Sequence, residues 1–344
     1  MQPERAGRKT GFVGSGPFPA FSTSGWHRPS PRAPIADPSD RRLSRRQLLL
    51  TGAAALGGAL VSAELINAQG AARITTTDLG GGLKLLQGAG CNVLALPGPD
   101  GALMIDGGLA ANADALLAAV RAATGASRIH TLINTHGHAE QIGANEAVGR
   151  AGGVIFAHEK THKYLSNSVE SVMFKGRRKP LPQVARPTKT TRAEGSMEFA
   201  GQQIDYGYLP AAHTDGDLYL YFPRMNTLVA GGVVSAETWP LLDYRNGAWL
   251  GGRVRALQRL ADLVKPDTHI VPTDGRVMTG GDIVRHRDMH QKLFVTMIDY
   301  MNMGLGPEDA VTRNPLREYT TEFGDPSTFT YGALRSMLIA YVPD

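Results

Sequence analysis

From about residue 83 onward, short apolar runs alternate with stretches of helical periodicity, which restricts the chain to a layered α/β architecture. "NVLALPGPDGALMID" holds two strands, Asn92 to Leu96 and Ala102 to Ile105, around a Pro/Gly/Asp turn, and so reads as a hairpin. Leu109, Ala113, Leu116, Leu117 and Val120 then recur at helical spacing, and "RIHTLINT" returns to an extended strand that ends where His136 begins. "GVIFAH" adds a strand, followed by a helix and by the basic, proline-rich "FKGRRKPLPQVARPTK", expected as a loop. The second half repeats the grammar: strands around Gln203 to Tyr208, Leu218 to Phe222 and Thr227 to Ala230, a helix from about Arg253 to Val264, and a strand "HIVP". Two halves of this kind predict two sheets face to face with helices outside. A helical extension follows from about Ile283 to Met303, whose stripe of Met289, Leu293, Phe294, Met297 and Met301 suits a core face better than a cofactor box.

The first 72 residues read differently. Residues 1–40 are rich in Gly, Pro and Ser without apolar periodicity, so they are expected to be a disordered leader. Residues 41–72 set a cluster of arginines before a mostly small or apolar run from Leu48 to Val61, and Ser44, Arg45, Arg46, Gln47, Leu48 and Leu49 resemble a twin-arginine export signal. The run is shorter than the ~20 residues a spanning helix needs, which argues against a permanent membrane anchor. The resemblance implies export machinery as a partner, a periplasmic or extracellular location, and cleavage near Ala63 or between Ala68 and Ala72.

The charge supports this division. Residues 1–68 carry nine Lys/Arg and four Asp/Glu, leaving 27 basic and 27 acidic residues beyond them, so the basic pI of 9.3 belongs to the leader and no nucleic-acid partner is expected. A single cysteine, Cys91, excludes an internal disulfide and a multi-thiolate zinc cage. Any metal falls to His, Asp or Glu.

The residues suited to that task follow the "RIHTLINT" strand. In "NTHGHAEQIGAN", His136 and His138 are two apart, so in an extended chain their imidazoles point to one side. A catalytic zinc uses about three protein ligands and an open position. His213, in "PAAHTDGDLYLYFP", is a plausible third ligand on a turn before a strand.

Thr135-His136-Gly137-His138-Ala139-Glu140-Gln141-Ile142-Gly143 resembles the first motif of the metallo-β-lactamase fold hydrolases, Thr-His-x-His-x-Asp-His-x-Gly. Asp106 after "LMI", "HTDGD" at His213 to Asp217, "NTLVAGG" at Asn226 to Gly232 and "VPTDG" at Val271 to Gly275 extend the likeness over about residues 83 to 282, nearest to exported quinoprotein-relay and cyclase-like members. The resemblance implies an αββα sandwich of two mixed β-sheets flanked by helices, spanning 73–344 with the helical extension. It also implies hydrolysis of a carbonyl, lactone, ester or thioester-type bond in a small-molecule substrate.

The departures fall on one metal position. Glu140, Gln141, Gly232 and Asp274 stand where the family has Asp, His, a bridging Asp and His. His136, His138 and His213 suffice for one Zn²⁺, with Asp274 and Glu140 left for a weak oxygen-only second position, or with Glu140 free as general base. Retuning toward Mn²⁺ or Fe²⁺ is a further option, and so is an inactive descendant that serves as a binding module. Asp274 also suits capping of its turn, and Gln141 a backbone bond at a helix start. His158, His162, His269, His286 and His290 are expected on the surface or in the core. "KGRRK", Lys175 to Lys179, reads as a solvated loop, or as a lid steering an anionic substrate. Asp243 in "WPLLDYRNG" lies where related sequences carry an aspartate near the site.

Overall fold

Along Val93–Leu96 and Ala102–Ile105, successive side chains enter two different cores: Val93, Ala95, Ala102 and Met104 pack on one face, and Leu94, Leu96, Leu103 and Ile105 on the other. A period of two with both faces buried is the signature of a sheet covered on each side. The computed structural model describes residues 73–341. The leader and the export signal expected over 1–40 and 41–72 lie outside the described residues.

In chain order the strands are β1 (Thr75–Gly80), β2 (Leu83–Gln87), β3 (Val93–Leu96), β4 (Ala102–Ile105), β5 (Ile129–Ile133), β6 (Val154–His158), β7 (Val169–Ser171), β8 (Phe174–Arg178), β9 (Lys189–Thr191), β10 (Gly195–Phe199), β11 (Gln202–Leu209), β12 (Asp217–Phe222), β13 (Thr227–Gly231), β14 (His269–Pro272) and β15 (Met278–Thr279). The helices are α1 (Ala113–Thr124), α2 (Ala139–Ile142), α3 (Asn145–Arg150), α4 (Glu159–Ser166), α5 (Leu250–Leu263), α6 (Gly280–Asn302), α7 (Pro307–Arg313), α8 (Thr320–Phe323) and α9 (Ser327–Tyr341).

One sheet runs β1-β2-β3-β4-β5-β6-β9 and the other β10-β11-β12-β13-β14-β15. Each opens as an antiparallel meander and turns parallel, at β4·β5 in the first sheet and at β13·β14 in the second. Both are therefore mixed, as expected. The inner faces meet through Leu94, Leu103, Ile105, Ile133 and Phe156 against Leu218, Leu220, Val229 and Val271. Helix α1 covers the outer face of the first sheet with Leu116 and Val120, and α5 that of the second with Ala256, Leu257 and Leu260. A further apolar layer joins Met289, Leu293 and Met297 of α6 to Ala310, Phe329, Ala333 and Met337, so the methionine stripe is core. No helix of the described residues is long and apolar enough to cross a membrane.

Two differences from the sequence reading stand out. "FKGRR" is strand β8, paired antiparallel with β7 in a two-stranded ribbon, because backbone pairing with Val169–Ser171 gives an otherwise patternless basic segment a partner. Strand β1 forms the edge of the first sheet although its residues are mostly exposed; pairing with β2, rather than apolar burial, holds it.

Candidate metal centre

Parallel pairing brings the C-terminal ends of β4 and β5 side by side, and the loop after β5 carries His136 and His138. Asp106 ends β4 with a left-handed backbone (φ 63°). Its carboxylate accepts the Thr135 backbone N–H at 2.8 Å and the Thr135 hydroxyl at 2.8 Å. Burial pushes this carboxyl up to about 8, against those two bonds. Asn134 donates to the Gln141 carbonyl at 3.0 Å and exchanges amide bonds with Asn145 at 3.0 and 2.8 Å, which fixes the loop from strand to helix. Gly143 has no room for a side chain: a Cβ there would lie 2.3 Å from the Gly108 oxygen and the Ala110 nitrogen.

His213 comes from the loop between β11 and β12. Asp217 ties that loop by accepting the His213 N–H at 2.6 Å, the Thr214 N–H at 2.9 Å and the Thr214 hydroxyl at 2.6 Å. Burial raises the Asp217 carboxyl to about 6, opposed by the same donors.

The three imidazoles converge. Their ring centroids lie 4.6 to 4.9 Å apart and their planes are nearly perpendicular. All three residues are buried, and one nitrogen from each falls within 4.8 Å of the others. The hydrogen bonds select which nitrogen. His138 donates from Nε2 to the Asp243 carboxylate at 3.0 Å, and His213 donates from Nδ1 to the Leu241 carbonyl at 2.7 Å. His138 Nδ1 and His213 Nε2, the nitrogens turned away from those two bonds, face one another at 2.9 Å. His136 Nε2 is buried with no partner. Desolvation holds His136 and His213 well below the usual imidazole range, so these rings are neutral. Three imidazole nitrogens converging in a buried site form a fitting set for one divalent cation.

Residues outside the histidine motifs hold this geometry. Asp243 is fully buried and accepts from His138, from the Ser171 hydroxyl at 2.7 Å, from the Val172 N–H at 3.3 Å and from Asn246 Nδ2 at 2.6 Å. Burial works against this carboxylate, but the His138 bond and the other donors prevail and hold it below the usual range. Arg253, also fully buried, donates to the carbonyls of Ala212, Val233, Pro240 and Leu241, bracing the segments on both sides of His213. Burial alone pulls its guanidinium down to about 10. Asp243 was noticed in the sequence without a role; Ser171 and Arg253 gave no sequence signal, since both act through chain segments remote in sequence.

The remaining expected site residues do not join the histidine group. Glu140 sits half-buried in the first turn of α2. Asp274 accepts hydroxyl bonds from Ser235 and, at 3.0 Å, from Thr238. Gln141 donates from Nε2 to the Thr273 hydroxyl at 3.1 Å rather than to backbone, and its Oε1 is buried and unpartnered. At Gly232 a Cβ would lie 2.2 Å from His213 Cδ2 and 2.5 Å from Nε2, so the ring occupies the space a bridging side chain needs. His158, His286 and His290 are buried core residues, and His269 is exposed.

Comparison with known proteins places this arrangement. The family model of the metallo-beta-lactamase superfamily matches residues 87–286. No curated protein matches the sequence. Among solved structures, a metallo-beta-lactamase from Pontibacter korlensis is similar at 20% identity with a TM-score of 0.52, over 64% of this chain and 99% of that one. The DIM-1 metallo-beta-lactamase gives 14% identity and 0.52 over 64% of this chain and 98% of its own. A double mutant of the sec-alkyl sulfatase PisA1 gives 17% identity and 0.56 over 78% of this chain, which spans half of that one. At these identities the structural neighbours establish the fold, while the family model covers more than half of the sequence and three histidines of its motifs meet in space. This chain belongs to the metallo-beta-lactamase superfamily.

Proposed function

We propose that the chain is an exported hydrolase that uses one Zn²⁺, held by His136 Nε2, His138 Nδ1 and His213 Nε2, to cleave a carbonyl, lactone, ester or thioester-type bond in a small molecule. Superfamily membership and the histidine group support the coarser reading, a metal-dependent hydrolase. The single observation that carries the proposal is the convergence of three buried imidazoles, with His138 Nδ1 and His213 Nε2 2.9 Å apart beside the orphaned His136 Nε2, a set of nitrogens that one divalent cation can bridge. Three neutral imidazoles suit zinc among the common divalent ions.

When bound, the ion supplies Lewis acidity toward water or a polarised substrate oxygen. The protein's own residues do the rest. Asp243 and the Leu241 carbonyl fix the tautomers of His138 and His213, so that both present lone pairs to the same point. Glu140, half-buried two residues beyond His138 and outside the histidine group, is the carboxylate that would serve as general base, taking a proton from water and returning it to the leaving group. Asp274 belongs to a second position that this chain no longer completes: hydroxyls already satisfy its carboxylate, and Gly232 supports the loss because His213 fills the space of a bridging group. Export rests on Arg45 and Arg46 in the leader.

The replacement of the second-position residues favours an alternative from another class, an inactive descendant kept as a binding module. Elemental analysis of the purified protein separates the two. About one zinc per chain, lost in His213→Ala, together with turnover in a panel of esters, lactones and thioesters, supports the hydrolase. A folded protein that takes up no zinc sinks it.

A further inference from the structure

Beside the metal centre lies a cavity of about 390 Å³. Its walls include Gly137, between the first two histidine ligands, and Thr214, next to the third; Lys163, Tyr164, Val169 and Arg245 form much of the remainder. This volume lies within the range that accepts small organic ligands. The Tyr164 ring lies 6.4 Å from that of His138, centroid to centroid, so one wall of the cavity backs onto the metal-binding group.

Positive charge around the cavity exceeds what the protein neutralises. Three cations, Lys160, Lys163 and Arg245, line it with one carboxylate, Asp215, while Arg177 and Arg178 stand outside the lining, as do Glu170, Asp243 and Glu140. Asp215 pairs with Lys160 at 2.6 Å, and Glu170 is shared by Arg245 at 2.6 Å and Arg177 at 3.2 Å. Lys163 and Arg178 have no carboxylate partner among the described residues. Arg178 stacks over Tyr164, 4.5 Å from its centroid. Its closest acceptors are the Gly137 and Tyr164 carbonyls, both at a long 3.4 Å, and its Nε is buried with no partner. Outside the lining but against its Tyr164 wall, this guanidinium adds positive potential to the cavity without a carboxylate partner to cancel it. Its burial already pulls the group below its usual range.

We infer that this cavity binds a small organic anion, with the charged group between Lys163 and Arg245 and the apolar body against Tyr164 and Val169. The cavity shares Gly137 and Thr214 with the loops that carry the histidines, although none of the three histidines lines it; taking the anion as the substrate narrows the substrate class to anionic esters and related acyl compounds. Binding itself does not depend on the hydrolase reading; the assignment as substrate rests on it.

Calorimetric titration with benzoate and with neutral benzamide tests the binding, using zinc-loaded and chelator-treated protein so that direct ligation of the metal is separated from the cavity. Benzoate is expected to bind both forms and benzamide neither, with Lys163→Glu and Arg245→Gln each weakening benzoate about ten-fold or more. Absence of saturable benzoate binding to the chelator-treated protein, or variants that bind like the parent while keeping its circular dichroism, overturns the site. For the substrate assignment, a phenyl ester bearing a carboxylate is compared with its neutral methyl-ester analogue on the zinc-loaded protein. The anionic ester is expected to have a kcat/KM about ten-fold higher, with Lys163→Glu abolishing the preference. Equal turnover of the two esters overturns the assignment and leaves the hydrolase standing. No turnover of either, with benzoate binding intact, removes the assignment and keeps the anion site, and the hydrolase reading falls with it only if the lactones and thioesters of the panel are also left intact.

Discussion

Replacing Asp243 by Asn tests whether the metal centre depends on a carboxylate that touches no metal. The residue is fully buried and accepts four hydrogen bonds, one of which fixes His138 with its proton on Nε2. Asn keeps the shape and loses the charge. Its amide either accepts more weakly from His138 or, if flipped, donates to Nε2 and moves the imidazole proton to Nδ1, the atom facing His213 at 2.9 Å. Loss of such a supporting group typically lowers metal affinity about 10- to 100-fold, or roughly 1.4 to 2.8 kcal/mol. Competition for zinc against a chromophoric chelator reads this directly. The visible spectrum of the cobalt-loaded protein reports whether the ligand geometry has changed, which a purely structural loss would leave alone. Ser171→Ala, which removes only one donor to the same carboxylate, should fall between the parent and Asp243→Asn. A variant that stays folded and binds zinc within about two-fold of the parent would refute the claim that Asp243 sets the tautomer of His138.

Three further outcomes test the metal site, the buried histidines and the proposed export. Gly232→Ala places a Cβ against the His213 ring, so zinc affinity should fall at least as far as in Asp243→Asn, and Gly232→Asp should not raise the stoichiometry to two by elemental analysis. Burial holds His286 down to about 4 from its usual 6.5, with Arg285 and Arg253 adding to the shift and Glu322 and Asp282 opposing it, and His290 is held well below 6.5 as well. The unfolded chain therefore binds protons that the folded one refuses: this stability is complete above pH 6.5 and is lost as pH falls toward 4, by roughly 3 kcal/mol for His286 alone, and urea titrations across that window should show it. Changing both Arg45 and Arg46 to Lys should leave the unprocessed chain in the cytoplasm, as judged by fractionation and immunoblotting.

Much of the fold was legible because burial on both faces writes itself into local sequence. "NVLAL" and "GALMI" are continuous apolar runs since each strand feeds two cores, and the stripe of α6 recurs at helical spacing because one face packs on the C-terminal helices. Strands β1 and β8 left no such mark, because pairing rather than burial holds them. The same distinction runs through the site. Extended backbone presets His136 and His138 to one side, and the turn chemistry of "HTDGD" singles out His213, so the three imidazoles could be named from spacing.

What spacing could not supply was the company they keep. Asp243 lies 105 residues from His138, and Ser171, between the two in sequence, lies 72 residues before Asp243. Arg253 reaches His213's neighbours only through backbone carbonyls, which no side-chain pattern records. The amino-acid order thus determined which atoms are able to bind a cation, whereas the packing of one sheet against the other decided which lone pair each ring presents. Ligand identity is a property of single residues, but tautomer, desolvation and the closeness of His213 to Gly232 are properties of distances that exist only once the two halves have met.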